Sequence, residues 1–107
     1  MFKLSRVKGS SMIPNYYDGD YVVTSSLLSA KIDDVVVCRI EGIGLVLKRI
    51  KYIDQNKLFL MGDNPRQESS ICNIPLTPDT ICGKVILNLS LLKFLFFFSD
   101  KDKRFNI

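Results

Sequence analysis

The sequence predicts a mainly β fold, a small antiparallel β-ribbon or barrel-like domain. Short apolar runs rich in Val, Ile, Leu and Phe recur along the chain, as at 35–40, 45–53 and 58–61, and turn-forming residues separate them. The connections at 41–44 and 54–57 are short enough for hairpins, which join antiparallel strands. At 107 residues, 47% of them hydrophobic, the chain is sufficient for one domain with a core.

The individual elements follow from the same alternation of β-branched or aromatic runs with Gly, Pro, Asn and Asp. Strands are predicted at 21–24, 35–40, 45–53, 58–61 and 80–89, with a short lead-in strand or a frayed end at 1–8. Connections are predicted at 9–20, at 25–31 (where one helical turn would fit), at 41–44, at 54–57 and, as a long loop, at 62–78. We expect one domain over 1–88 and an apolar, then charged tail over 89–107.

The residue counts exclude several kinds of chemistry. The chain has no histidine, so a Ser-His-Asp triad and a Cys-His pair are impossible. Its three cysteines show no CxxC spacing, so we expect no disulfide framework, no metal site and no cofactor. The net charge of +4 comes from scattered Lys and Arg, so we expect no nucleic acid partner. A hydrolase built from this chain would need Lys, Asp, Glu or Tyr as its base.

A serine in a turn is the first candidate for chemistry. Ser11 lies in the turn-rich stretch 9–20, directly after Gly9 and Ser10 and before Pro14. Such a turn would present the hydroxyl at the surface of the fold, and the Ser11 N–H could form half of an oxyanion hole. A serine hydroxyl is a weak nucleophile without a base. Taken alone, the segment is also typical of an ordinary turn before a strand.

A lysine in the longest predicted strand is the candidate base. Side chains alternate along a strand, so Val46, Lys48 and Ile50 share one face while Arg49 lies on the other. A lysine ammonium among apolar groups is destabilised, which favours a role as general base. The competing interpretation is an exposed lysine that protects a sheet edge. We expect Arg49 to be the solvent-exposed charge of this strand.

Four segments, taken in order, resemble the motifs of bacterial type I signal peptidases. Lys-Gly-Ser-Ser-Met-Ile-Pro at 8–14, with Asp-Gly-Asp-Tyr-Val-Val at 18–23, resembles their nucleophile box, and Leu-Lys-Arg-Ile at 47–50 resembles their lysine box. Met-Gly-Asp-Asn-Pro at 61–65 resembles their Gly-Asp-Asn box, and Gly-Lys-Val at 83–85 resembles their closing strand. The Ser-Met-x-Pro and Lys-Arg boxes are shared with the self-cleaving LexA-like regulators. The resemblance therefore points to the Ser-Lys peptidases of the S24 and S26 type, with a fold like that of signal peptidase and of the LexA C-terminal domain.

The resemblance implies a serine endopeptidase that uses a Ser11–Lys48 dyad and an acyl-enzyme. In signal peptidases a Ser-x-Asp-Ser-Arg element follows the Gly-Asp-Asn box and orients the lysine, whereas this chain has Pro-Arg-Gln-Glu-Ser-Ser at 65–70. We expect Ser69 or Ser70 to supply the orienting hydroxyl. The remaining implied roles are oxyanion stabilisation and support of the site (Ser10, Met12, Asp63 and Asn64) and a substrate groove (Gly9, Ile13 and Pro14).

Substrate and location are less constrained than the chemistry. The partner expected from the resemblance is a polypeptide, bound as an extended strand. No signal or anchor is seen at 1–8, because that stretch has no apolar h-region. The apolar run at 89–98 has three interpretations. It is a short buried helix that follows a last core strand at 85–89, a segment that lies on a bilayer surface beside basic residues, or a contact for a membrane-bound partner. We expect the protein to be membrane-associated or cytoplasmic.

Two rival functions also fit the sequence. The first is a LexA-like self-processing regulator; the short stretch before Ser11 and the Gly-Asp-Asn box argue against it. The second is a catalytically silent peptide-binding module, motivated by the altered segment at 65–70.

Overall fold

The computed structural model describes residues 1–67 and 70–90, without the side chain of Ser70. Within these residues the chain forms one antiparallel sheet of six strands in the spatial order β1-β2-β6-β3-β4-β5. The strands are β1 (Phe2–Arg6), β2 (Tyr21–Ser25), β3 (Val35–Ile40), β4 (Gly44–Asp54), β5 (Lys57–Met61) and β6 (Ile81–Asn88). The predicted mainly β, antiparallel fold class is confirmed, and the lead-in segment forms a strand.

The two tight connections are hairpins, as predicted. Gly42, between β3 and β4, and Gly44, the first residue of β4, adopt φ values of +85° and +105°, a conformation that glycine reaches without steric cost. Asp54 pairs with Lys57, so β4 and β5 are joined by two residues, Gln55 and Asn56. Positive φ at both central residues is characteristic of the turn whose twist matches that of a β-hairpin.

Strand β4 is the longest element and changes neighbours along its length. All of its pairing with β3 lies between Gly44 and Arg49, whereas its pairing with β5 begins only at Arg49. The segment Gly44–Lys48 therefore has a neighbouring strand on one side only within the described part of the chain. Strand β1 is likewise an edge strand, paired only with β2.

The hydrophobic core lies on one face of β3, β4 and β5. It consists of Val36, Cys38, Ile40, Ile50, Leu58, Leu60, Ile71 and Leu76. The last two members come from the segment predicted as a long loop. There the chain forms 3₁₀ turns at Ser70–Asn73 and Pro78–Thr80, and Leu76 exchanges two backbone hydrogen bonds of 2.7 and 2.9 Å with Leu58. Part of the predicted loop thus covers the core.

The helical turn that would fit at 25–31 is not formed. The chain bends there, and the Leu27 N–H donates to the Ser25 hydroxyl at 3.1 Å. A serine side chain that accepts a hydrogen bond two residues on stabilises a local turn in place of a helix.

Candidate functional site

The turn that carries Ser11, between β1 and β2, is fixed by hydrogen bonds within it. Gly9 has a φ of +85°, and its N–H donates to Asp18 Oδ1 at 2.8 Å. The N–H groups of Asn15 and Tyr16 both donate to the Met12 carbonyl at 2.9 Å, which turns the chain sharply after Met12. Ser11 is half-buried, and the side chain of Met12 is only 2% exposed.

Lys48 is buried, as the strand alternation predicts. Its exposed fraction is 5%, while the neighbouring Lys51 is exposed. Lys48 pairs across the sheet with the fully buried Val36, and Ile50 on the same face of β4 is also fully buried. Over residues 1–67 and 70–90, no hydrogen bond or ion pair joins Lys48 Nζ to another described side chain or carbonyl. Burial of a lysine head group is costly, and among the described residues none supplies it with an ion pair, which is unusual for a lysine that serves structure alone.

Gly62 brings the serine and the lysine to one point. A Cβ atom placed on Gly62 would lie 3.6 Å from Ser11 Cβ and 3.7 Å from Lys48 Nζ. It would also lie 2.8 Å from the Ser11 carbonyl oxygen, which is closer than real Cβ atoms approach a backbone atom. The absence of a side chain at Gly62 therefore allows the turn that carries Ser11 to pack against the end of β5, beside the lysine head group.

Asn64 holds the serine turn through two donors. Its backbone N–H donates to the Ser11 carbonyl and its side-chain Nδ2 donates to the Ser10 carbonyl, both at 2.9 Å. Its side-chain oxygen accepts a hydrogen bond from the N–H of Arg66 at 3.0 Å. Asn64 thereby fixes two successive carbonyls of the turn, which restricts the orientation of the Ser11 backbone.

Asp63 ties the same loop to β4 through Arg49. Its two carboxylate oxygens accept from Arg49 Nε at 2.8 Å and from the second Arg49 amino group at 2.6 Å, and Asn15 Nδ2 donates to it at 2.8 Å. A two-point pairing of this kind is among the stronger charged interactions in proteins. The hydrogen bond from Arg49 holds the pKa of Asp63 below its ordinary value despite partial burial, and it raises the pKa of Arg49.

Arg49 corrects one expectation from the sequence. We expected it to be the solvent-exposed charge of β4, yet its side chain is 24% exposed, Asp63 is 5% exposed, and the two form an ion pair. Another Arg49 amino group donates to the Asp33 carbonyl at 2.7 Å. Arg49 lies on the face of β4 that the alternation of side chains predicts. Its partner Asp63 is 14 positions further along the chain and comes close only because β5 pairs with β4.

A groove of about 340 Å³ opens beside Ser11 and Lys48. One wall comes from the end of β1 and the residues after it, up to Gly9, and the other comes from Leu45, Val46 and Leu47 of β4. Met12, Val22 and Val37 also line it. Of the residues predicted to form a substrate groove, Gly9 lines this one. Ile13 and Pro14 are not among its lining residues, because the chain turns away after Met12.

The predicted orienting hydroxyl and the apolar tail both lie outside the described residues. The hydroxyl would come from Ser69 or from the side chain of Ser70, neither of which is described, so it stays a prediction. The apolar tail lies almost wholly in 91–107, also outside the described residues. No helix within the described ranges has the length and apolar character needed to cross a bilayer.

The fold and the site together define a class of protein. A small antiparallel β domain, with a serine turn packed against a buried lysine at one groove, is a peptidase-type domain like that of LexA. The chain belongs to the Peptidase S24-like family, whose model matches residues 2–86. This confirms the family resemblance predicted from the motifs. A comparison with curated proteins returned no match.

Proposed function

We propose that the protein is a serine endopeptidase in which Ser11 is the nucleophile and Lys48 is the general base. The observation that carries the proposal is the packing at Gly62, where Ser11 Cβ and Lys48 Nζ both lie within 4 Å of one position. The chain has no histidine, and within the part that the structure describes Lys48 is the one buried basic residue. Membership of a peptidase family supports the same class of reaction.

The proposed reaction proceeds through an ester. Neutral Lys48 Nζ takes the proton of the Ser11 hydroxyl while Oγ attacks the carbonyl carbon of the substrate. The tetrahedral intermediate collapses, the C–N bond breaks, and the Lys48 ammonium returns its proton to the departing amine. A water molecule, deprotonated by Lys48, then attacks the carbonyl carbon of the Ser11 ester. The C–Oγ bond breaks, the carboxylic acid leaves, and the Lys48 ammonium returns its proton to Ser11 Oγ. Lys48 is neutral again at the end of the cycle.

The Ser11 amide is suited to stabilise the oxyanion. Its carbonyl accepts from Asn64, but across the two described ranges its own N–H has no hydrogen-bond acceptor. A backbone donor that is fixed in position and not otherwise engaged stabilises charge that develops on a substrate oxygen. Asn64 therefore acts in this proposal as a positioning residue, since it orients the peptide unit that carries the donor.

The substrate would bind as an extended segment in the groove. The edge of β4 at Gly44–Lys48 lacks a second neighbouring strand in the described structure, and β1 is an edge strand. An extended peptide can complete such an edge through main-chain hydrogen bonds while alternate side chains enter the groove. This mode requires an unfolded or loop segment as substrate.

Peptide cleavage by matched variants tests the proposal. Ser11→Ala and Lys48→Met should each abolish cleavage of an extended peptide while circular dichroism and the unfolding midpoint show a folded domain. Lys51→Met is the matched control, since Lys51 is the exposed lysine of the same strand. If Lys48→Met keeps full activity, or if Lys51→Met loses as much activity as Lys48→Met, the dyad is wrong.

Self-processing is the second candidate, because the matched family is described as S24-like and LexA-like regulators cleave their own chains. Mass spectrometry of the purified protein during incubation distinguishes the two. Cleavage of the chain at one bond, absent in Ser11→Ala, would favour self-processing. An intact chain that cleaves added peptide favours the endopeptidase. Binding of the peptide without cleavage would favour a silent binding module.

A further inference from the structure

Among the described residues, the charged side chains that line the groove are all basic. Arg6 and Lys8 line the wall that comes from β1. No Asp or Glu of the ranges 1–67 and 70–90 lines the groove. The opposite wall, formed by Leu45, Val46 and Leu47, carries no charge. The groove therefore combines a basic wall with an apolar one.

The basic wall is fixed in position by its backbone. Val7 lies between the two cations, is buried, and exchanges hydrogen bonds of 2.8 Å with Asp20 and Gly19. Because side chains alternate along extended chain, burial of Val7 directs Arg6 and Lys8 to the other side, and both are exposed. The Arg6 guanidinium passes within 4.0 Å of the Cβ position of Gly19.

Neither Arg6 nor Lys8 of the basic wall forms an ion pair within the described residues. The two ion pairs found there join Arg49 to Asp63 and Lys84 to Asp34. Asp18, the acidic residue closest along the chain to Gly9, accepts a hydrogen bond from the Gly9 amide. Arg6 and Lys8 are thus exposed cations of the groove lining that have no ion-pair partner among the described residues.

We infer that the groove selects extended peptide segments that carry Asp or Glu beside the bond to be cut. This inference rests on the proposed endopeptidase activity and specifies its substrate class. A strand presents successive side chains to opposite sides. A segment that alternates carboxylate and apolar residues would therefore direct the carboxylates to Arg6 and Lys8 and the apolar side chains to the wall formed by β4.

The magnitude expected for such a preference is modest and sensitive to salt. Charged pairs at an exposed rim are worth little, so each well-placed acidic residue should lower KM by about two- to fivefold at low ionic strength. The effect should decline as the ionic strength rises and the Debye length falls to roughly 3 Å at 1 M salt. Because the rim does not touch the reacting atoms, kcat should be unchanged.

A positional scan tests the inference. A short alanine-rich peptide is prepared with Glu, Gln or Lys placed singly at each position, and KM and kcat are measured at low and high salt. Arg6→Glu and Lys8→Glu should reverse the order, so that the Lys peptide is preferred. Lys57→Glu is the matched control, because Lys57 is exposed at the start of β5 and does not line the groove. It should leave the preference for Glu unchanged.

The outcomes separate this inference from the proposed function. Cleavage with no preference for Glu over Gln, or a preference that Arg6→Glu and Lys8→Glu leave unchanged, overturns the inference and leaves the endopeptidase standing. If no peptide is cleaved, the same series is bound to Ser11→Ala and followed by fluorescence anisotropy. Tighter binding of the Glu peptides, lost in Arg6→Glu, supports the basic groove without the peptidase. Equal binding of all three series overturns it.

Discussion

The close packing at Gly62 makes this glycine the most informative position to perturb. In Gly62→Ala the new methyl group would lie 2.8 Å from the Ser11 carbonyl oxygen, about 0.6 Å short of the 3.4 Å at which ordinary contact begins. The oxygen cannot yield freely, because Asn64 donates to it at 2.9 Å. The methyl would also lie 3.7 Å from Lys48 Nζ, so it would stand beside both members of the proposed dyad.

The cost should appear in activity more than in stability. Overpacking by one methyl group typically costs about 1–3 kcal/mol, which a folded domain of this size can tolerate. A displacement approaching 1 Å between reacting groups can lower a rate by about 100-fold. We therefore expect Gly62→Ala to stay folded, as measured by urea unfolding, and to lose about 10- to 100-fold in kcat, with a smaller change in KM.

Gly83→Ala provides the matched control. Its new methyl group would meet the Thr24 side chain at 3.1 Å and the Ser25 carbonyl at 3.4 Å, on the β2–β6 side of the sheet. It should lower the free energy of unfolding by a comparable amount while kcat for the folded protein is kept. Wild-type kcat in Gly62→Ala would contradict the prediction that the methyl group displaces Ser11 from Lys48. An equal loss of kcat in Gly83→Ala would show that the loss in Gly62→Ala comes from general destabilisation.

Three further predictions concern charges and thiols. Lys48→Met should raise the free energy of unfolding by about 1–3 kcal/mol in urea titrations, since it replaces a lysine that is only 5% exposed with an apolar side chain; a loss of stability would contradict this. The hydrogen bond from Arg49 lowers the pKa of Asp63 in the folded protein below the value of 3.8 that applies to the unfolded chain. The Asp63 carboxylate therefore stabilises the fold fully above pH 3.8, and this stabilisation is lost as the pH falls through the lower pKa of the folded state. The stability gap between wild type and Asp63→Asn should therefore narrow below about pH 4, and a gap independent of pH would refute the pairing. Burial raises the pKa of Cys38 to about 11, so iodoacetamide at pH 8 should modify the exposed Cys82 and spare Cys38 until the protein is unfolded; peptide mass spectrometry gives the sites.

The elements that depend on local patterns could be predicted from the sequence. Strand β3 has the predicted bounds, and β4 and β5 extend theirs by one or two residues, because β-branched runs between turn residues specify strands locally. The alternation of side chains also placed Lys48 on one face of β4 with Ile50, and both residues are buried. These inferences needed only the two-residue period of a strand.

The features that depend on distant contacts could not be predicted in the same way. Strand β6 lies between β2 and β3, far from its neighbours in sequence, and no local signal specifies that order. The segment predicted as a loop contributes Ile71 and Leu76 to the core through its pairing with β5. The Gly, Pro, Asn and Ser residues of this segment predict a loop, although apolar residues lie between them.

The sequence predicted several residues of the site but not the contacts between them. The resemblance nominated Asp63 and Asn64 as supports, but their partners (Arg49, Asn15 and the carbonyls of Ser10 and Ser11) depend on how three separate segments meet. The close approach at Gly62 has a weak signal in sequence, since a glycine that ends a strand is also common in turns. The basic wall at Arg6 and Lys8 has no sequence signal, because scattered cations resemble an ordinary solvated surface.

The rate at which Ser11 becomes acylated tests the central claim most directly. Wild type, Lys48→Met and Ser11→Ala are each mixed with p-nitrophenyl acetate, the release of p-nitrophenolate is followed, and the acetyl group is located by peptide mass spectrometry. We predict a stoichiometric burst with acetyl on Ser11 in the wild type, and no Ser11 adduct on the same timescale in either variant. Acylation of Ser11 at the wild-type rate in Lys48→Met would contradict the Ser11–Lys48 dyad.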